Sequence, residues 1–431
     1  MSRFPLVQFE NAALQIIDGD RGVNYPQKSE FVKSGHCAFL NTGNVTKSGF
    51  DFSETDFISK EKDVRLRKGK ATRNDIVLTT RGTVGNVAFY GESIPFQNIR
   101  INSGMVLLRA NPKDIAPYYL YCFLRSDVFK KQVFSNGSGS AQPQLPIGAL
   151  KNIAFPLPGI EAQKKIAAVL SALDAKIDCN NRINTELEAM AKILYDFWFV
   201  QFDFPFDFAS GKPAQNGKPY KSSGGKMVYN PTLKREIPAG WKAGIAADLF
   251  DFNPGLALPV NKEASYIDMN SLPVTGFMTN PPELKRFAGG MKFQNGDVVV
   301  ARITPCLENG KTALISLMRD GEVGFGSTEF IVIRGKESSL SAFAAQLSRS
   351  ASFRQFAISN MTGTSGRKRI DAGTLETFSL PLPPKELLLQ YEKTAASLLK
   401  RMTNNAQENQ HLTQLRDWLL PMLMNGQVTV E

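Results

Sequence analysis

Through the first 159 positions, short apolar runs alternate with polar breaks. NDIVLTT, GNVAFY and SGMVLLRA each read as a strand bounded by Gly, Asn, Ser or Thr. One amphipathic stretch, Pro117 to Phe134, reads as a helix, so residues 1–159 are expected to form a compact α/β domain. From 160 to 199 the apolar period becomes helical with no Pro or Gly, giving about 58 Å at 1.5 Å per residue. Residues 200–236, with ASGKPAQNGKPYKSSGGK, carry the Gly, Pro, Ser and Lys of a connector. The strand pattern restarts at IPAGW. NGDVVVARI, KTALISL, TEFIVIRG and a helix from Ser339 to Ile358 make a second α/β unit over 237–384, and 385–425 is a second long helix.

The pattern is written twice. GSGSAQPQLPIGALKNIAFPLP (Gly137 to Pro158) returns as TGTSGRKRIDAGTLETFSLPLP (Thr362 to Pro383), placing Leu150 with Leu375, Pro156 with Pro381 and Pro158 with Pro383. Upstream, FLNTGNVTKSGF (Phe39 to Phe50) lines up with YIDMNSLPVTGF (Tyr266 to Phe277), and NDIVL with GDVVV, with slips expected of loop insertions. Two similar units can present two similar surfaces to a bipartite target, and duplex DNA is the obvious candidate.

Each long helix also carries a coiled-coil seam: Leu173, Ile177, Asn180, Asn184, Leu187 and Leu194 in the first, Leu398, Met402, Asn405, Asn409, Leu412 and Leu419 in the second. Asparagines inside such a seam lower stability but fix register. An antiparallel pair would bring Asn180 to Asn409 and Asn184 to Asn405; otherwise each helix buries its stripe on its own domain. The expected fold is mixed α/β, with two similar domains, two long antiparallel helices between them and a pseudo-two-fold arrangement.

A net charge of +11 over 431 residues and a pI near 9.3 favour an anionic partner, nucleic acid or a membrane surface. The apolar runs fall short of the roughly 20 residues a membrane span needs, and MSRFPLVQFENAA lacks a signal-peptide core, so a cytoplasmic protein with no membrane partner is expected. Four scattered cysteines and two histidines suggest neither a disulfide framework nor a metal site.

Candidates for DNA contact fall in three places. KEKDVRLRKGKATR carries Lys60, Lys62, Arg65, Arg67, Lys68, Lys70 and Arg73 against Glu61 and Asp63. It suits phosphate contacts, although a charge run is often just a solvated face. The repeated loops place Gln142 and Gln144 opposite Arg367, Lys368 and Arg369. Gln suits adenine and Arg suits guanine in the major groove, which makes these the preferred sites of base readout. Arg81 and Arg302, after matching strands, come second. The eight aromatics between Tyr195 and Phe208 read first as a buried connector and second as a docking surface.

Catalytic motifs fail on inspection. NPPE (Asn280 to Glu283) lacks the aromatic fourth residue that an adenine methyltransferase stacks on a flipped base. NGKT (Asn309 to Thr312) has Pro305 where a phosphate loop requires glycine and reads as a hairpin turn. RGTVGN (Arg81 to Asn86) reads as a glycine turn, or as a loop close to the DNA backbone.

The two-copy layout, the proline-flanked strand before each long helix, LYDFWFVQFDFP closing the first helix and the IPAGW restart together resemble the specificity subunits of type I restriction-modification systems. The likeness covers essentially the whole chain. It implies two target recognition domains, each reading half of a split sequence, and helices that act as a spacer. It also implies no catalysis and no cofactor on this chain. The partners would be double-stranded DNA, two methyltransferase subunits and restriction/translocase subunits that carry S-adenosylmethionine, Mg and ATP. One departure is the opening of the second helix, KELLLQYEK, in place of an EQQ-type start. Two other readings are a stand-alone DNA-modifying enzyme and a structural adaptor whose paired domains bind proteins.

Overall fold

A computed structural model describes residues 3–136, 144–337, 340–364 and 366–430. The chain divides into two compact units, unit 1 from Met1–Lys176 with Leu412–Glu431 and unit 2 from Ile177–His411.

In unit 1, strand Met105–Ala110 lies between Leu14–Asp18 and Ile76–Thr79, and Val87–Phe89 completes an antiparallel sheet. Its central strands are apolar runs because both faces are covered. Ile76, Leu78, Val106 and Leu108 face a core with Tyr119, Leu120 and Phe123 of helix Pro117–Arg125. Their neighbours Val77, Met105 and Leu107 face the opposite way, onto Ala38, Leu40, Ile99 and Ile101. Those last residues belong to a second sheet, ordered Asp56–Ile58, Cys37–Leu40, Ile99–Ile101, whose latter two strands run parallel.

Unit 2 repeats this plan. Phe330–Gly335 lies between Phe250–Phe252 and Val298–Ala301, with Thr312–Leu314 outside. Val298, Val300, Ile331 and Ile333 enter one core while Val299 and Val332 enter another. Its second sheet again contains a parallel pair, Glu263–Ile267 with Gly324–Gly326. One buried device is shared. Arg109 grips Asp75 through Nε and Nη2 at 2.8 and 2.7 Å, and Arg334 grips Asp297 through the same two atoms at 2.7 and 2.7 Å.

Each single helix read from the sequence after the central sheet is two helices. Pro117–Arg125 and Asp127–Asn136 break at Ser126, and Ser341–Arg349 and Ala351–Ser359 break at Ser350. Both serines are extended, and both hydroxyls accept a bond from the N–H three residues on, Phe129 and Phe353, at 3.3 Å. A serine in that role is an N-cap and starts a new helix.

The long helices are Ile160–Tyr195 and Lys385–Met424. Within unit 2 they run antiparallel: Asn180 Nδ2 donates to Asn409 Oδ1 at 2.9 Å, and Asn405 Nδ2 donates to Asn184 Oδ1 at 2.8 Å. Asn184 Nδ2 also donates to the Met402 carbonyl at 3.2 Å, and Leu187, Leu399 and Met402 are buried beside this polar cluster. Within unit 1, Arg416 donates to Asp174 at 2.8 Å, and Leu170 shares a core with Leu420 and Leu423. No helix among the described residues is long and apolar enough to cross a membrane.

The helix starts explain the odd KELLLQYEK. In unit 1, Gln163 Oε1 accepts from the Ala116 N–H at 2.9 Å, at the mouth of helix Pro117–Arg125. In unit 2, Glu392 does the same work for helix Ser341–Arg349, accepting from Phe343 and Ala342 at 2.7 and 3.2 Å. Both side chains are buried. Burial pushes the Glu392 carboxyl up to about 7, against the opposing pull of those two N–H groups.

The stretch 200–236, composed like a linker, is ordered. Pro205–Asp207 pairs with both Lys212–Pro213 and Lys218–Pro219, and Met227–Asn230 forms a hairpin with Arg235–Pro238. Tyr195, Trp198, Phe199, Phe202 and Phe204 are buried in the unit 2 core, while Phe208 stays 43% exposed. Aromatic side chains at every second position from 202 to 208 supply the apolar area that the Gly, Pro and Lys composition conceals.

Candidate nucleic-acid interface

In each unit the ends of the two middle strands of the central sheet meet the repeated loop through the same backbone bonds. In unit 1, Leu145 N donates to Thr80 O at 2.9 Å, Thr80 N donates to Gly104 O at 2.8 Å, and Arg81 and Gln144 face each other across an antiparallel bridge. In unit 2, Ile370 N donates to Arg302 O at 2.9 Å and Arg302 N to Glu329 O at 2.9 Å, while Arg369 bridges Ile303. Thr80 thus corresponds to Arg302, and Gly104 to Glu329. Gln142 lies outside the described residues.

The two lips carry different chemistry. Arg81 is exposed and Gln144 half-buried. In unit 2, Arg369 is tied into a small hairpin by reciprocal backbone bonds with Thr362 at 2.8 and 2.9 Å, and Arg367 and Lys368 stand exposed next to it. The Arg369 guanidinium forks onto Glu329. Its Nε lies 2.9 and 3.0 Å from the two carboxylate oxygens and its Nη2 lies 2.7 Å from one. Hydrogen bonding from Arg369 holds the Glu329 carboxyl below the usual carboxylate range. Arg302 is half-buried beside them, and its Nε has no hydrogen-bond partner among the described residues.

The basic run of unit 1 is a rigid shelf. Helix Lys60–Arg65, capped by Ser59, leads into a loop where Arg67 and Lys68 N–H groups donate to Asp20 at 2.7 and 3.3 Å. Beneath it, buried Arg100 donates to Asp63 at 2.6 Å and to the carbonyls of Leu66 and Lys68 at 2.9 and 2.7 Å. Lys70 Nζ meets the same Asp63 at 2.6 Å. Burial alone would raise the Asp63 carboxyl; hydrogen bonds from Lys70 and Arg100 outweigh that and lower it. Arg65, Arg67, Lys68 and Lys70 are exposed along the shelf.

Arg73 differs from the rest of the run. Its guanidinium donates to the carbonyls of Gly91, Ile94 and Phe96 at 2.7, 3.0 and 3.4 Å and lies 4.4 Å from the centroid of the Tyr90 ring. Its geometry is that of an internal brace.

Sequence reasoning missed Arg100, Asp20 and Glu329. Arg100 sits between Ile99 and Ile101 in an apolar strand, where alternation places a charge outward, yet it is buried because Asp63 and three carbonyls satisfy it. The signal for Glu329 was present: it occupies the repeat position of Gly104. Glu283 begins the exposed strand Glu283–Arg286, and Ala301 N donates to Lys311 O at 3.0 Å to close the turn that holds NGKT. In RGTVGN, Gly82 and Gly85 take φ of +68° and +91°.

The family model for the type I restriction modification DNA specificity domain matches residues 16–189 and 238–416. The specificity subunit of type I restriction enzyme HindI from Haemophilus influenzae is 22% identical over 471 residues, covering 95% of this chain and 98% of its own. That of MjaIX from Methanocaldococcus jannaschii is 24% identical over 376 residues, covering 83% of this chain and 78% of its own. A crystal structure of the type I restriction-modification S subunit from M. genitalium superposes with a TM-score of 0.56 at 14% identity, covering 98% of this chain and 96% of that one, and so shares the fold. The chain belongs to the type I restriction-modification DNA-specificity subunits, a family that is non-catalytic within its complex.

Proposed function

We propose that each unit reads one half of a split duplex sequence through its lip: Arg81 with Gln142 and Gln144 in unit 1, and Arg302 with Arg367, Lys368 and Arg369 in unit 2. The observation that carries this reading is the matched pair of backbone bonds, Leu145 to Thr80 and Ile370 to Arg302, which set unlike polar side chains on a like frame. Gln pairs with the N6 and N7 edge of adenine and Arg with the O6 and N7 edge of guanine. The shelf of Arg65, Arg67, Lys68 and Lys70 contacts phosphates and adds affinity without sequence information.

The helix pair, registered by Asn180, Asn184, Asn405 and Asn409, sets the gap between half-sites. Two methyltransferase subunits and the restriction/translocase subunits assemble on this chain and bring S-adenosylmethionine, ATP and Mg. The test is the methylation pattern of duplex libraries treated with the assembled methyltransferase. One split motif with modified adenine in both halves is expected. Arg369→Ala should relax a single position in one half. Equal losses on specific and random duplex would remove Arg369 from base readout.

A further inference from the structure

We infer that Glu329 is a positioning residue that presents Arg369 to a guanine, so that the half-site read by unit 2 contains a G·C pair at the Arg369 position. The inference rests on the base-reading role proposed above for the Arg369 loop. A guanidinium has two edges that can each give a forked pair of hydrogen bonds, one formed by Nε and Nη2 and the other by Nη1 and Nη2. Glu329 occupies the first edge, with contacts of 2.9 and 3.0 Å to Nε and 2.7 Å to Nη2. The second edge is left to fork onto O6 and N7 of guanine, the base whose major-groove edge offers two acceptors. A flexible arginine must be ordered before it can discriminate, and here the carboxylate orders it in advance.

Three further observations fit a reading device rather than a plain surface ion pair. Arg369 is anchored on both sides of its backbone, to Thr362 and to Ile303. Arg302 stands beside the carboxylate and adds to the field that keeps it ionised. The equivalent position in unit 1 is Gly104, where an added Cβ would lie 2.8 Å from Thr42 Cγ2. At this matched position the residue beside Arg369 is an acid, and the one in the lip of Arg81 and Gln144 is a glycine.

The experiment uses the assembled methyltransferase with wild-type, Glu329→Gln, Glu329→Asp and Arg369→Ala chains. Methylation rates are measured on duplexes carrying each of the four bases at every half-site position. Wild type should prefer guanine at one position of one half. Glu329→Gln should cut that preference about tenfold, the scale of one forked base contact, and leave every other position and the other half-site unchanged. Glu329→Asp should recover part of the loss, and Arg369→Ala should abolish the same preference. Unchanged preference in Glu329→Gln, with loss in Arg369→Ala, overturns the role of Glu329 while the loop keeps its own. No positional change in Arg369→Ala removes the reading of the loop itself. A wild-type preference for another base at the Arg369-dependent position also overturns the inference.

Discussion

The two units share a frame and differ at the lip, and the buried polar groups show why. Asp75 with Arg109 and Asp297 with Arg334 make the same forked pair, each aspartate one residue before a strand of its central sheet. Ser126 and Ser350 break equivalent helices in the same way. At the lip the units part: buried Gly104 and half-buried Gln144 in one, half-buried Glu329 and Arg369 in the other. A buried charge without its partner is costly, so the members of such a pair must change together, while a half-buried lip open to water can change one residue at a time. Glu392 and Gln163 mark an intermediate case, in which one buried task is done by two chemistries.

The largest effect should come from the shared ion pairs. Asp75→Ala and Asp297→Ala each leave an arginine without its carboxylate. Because Arg109 and Arg334 side chains keep 33% and 22% exposure, water recovers part of the cost, and a loss of about 2–3 kcal/mol is expected for each. Hydrogen exchange of Met105–Ala110 and of Phe330–Gly335 would report the two units separately. Equal losses support a common frame; a unit that tolerates the change does not use it.

Next in size is Glu392→Gln, which makes unit 2 resemble unit 1. An unfolded carboxyl titrates near 4.5 and the buried one near 7. Between these values the folded chain holds a proton that the unfolded chain has released, so stability falls as pH rises from 4.5 to 7 and stays reduced above. The amide removes that cost, up to about 3 kcal/mol, but forfeits one acceptor, worth about 1 kcal/mol. A net gain of about 1–2 kcal/mol at pH 8 that turns into a loss of about 1 kcal/mol below pH 4.5 is expected in denaturant titrations. A pH-independent difference would mean that Glu392 does not titrate in this range.

Much of this frame was legible in the sequence, because apolar period and repeat spacing report burial directly. The two long helices, the central strands of both units and the turn that holds NGKT could be read from apolar period and turn residues. Ser126 and Ser350 were not legible as breaks, since serine sits tolerably on an amphipathic helix until its hydroxyl finds the N–H three residues on. The 200–236 segment misled for a related reason. Composition describes its Gly and Lys, whereas its structure follows from where Phe202, Phe204 and Tyr220 go. At the lip, residue types were readable but partners were not: Glu329 and Arg369 are 40 positions apart, and only folding brings them together.

A smaller effect concerns the asparagine seam. Changing Asn184 and Asn405 together to Leu should stabilise unit 2 by about 1 kcal/mol, because a hydrogen-bonded polar pair is replaced by apolar contact. Either change alone should destabilise it by about 1–2 kcal/mol, leaving one half-buried amide without its partner. A double-mutant cycle on unfolding midpoints measures the coupling, and a cycle that closes to zero would deny the two residues any joint role.

The smallest effect separates two kinds of cation within the basic run of unit 1. Lys68 is exposed on the shelf and forms no ion pair among the described residues, whereas Arg73 spends its guanidinium on three carbonyls and the Tyr90 ring. A lysine at a phosphate releases about one counterion on binding, so Lys68→Ala should lower the slope of log affinity against log salt by about 0.9. Sequence preference should not move, because phosphates carry none. Arg73→Ala should leave the salt slope alone and lower unit 1 stability instead, since the carbonyls of Gly91 and Ile94 lose their shared donor. If both variants lower the slope equally, charge density alone governs the shelf, and the distinction between its brace and its contacts falls.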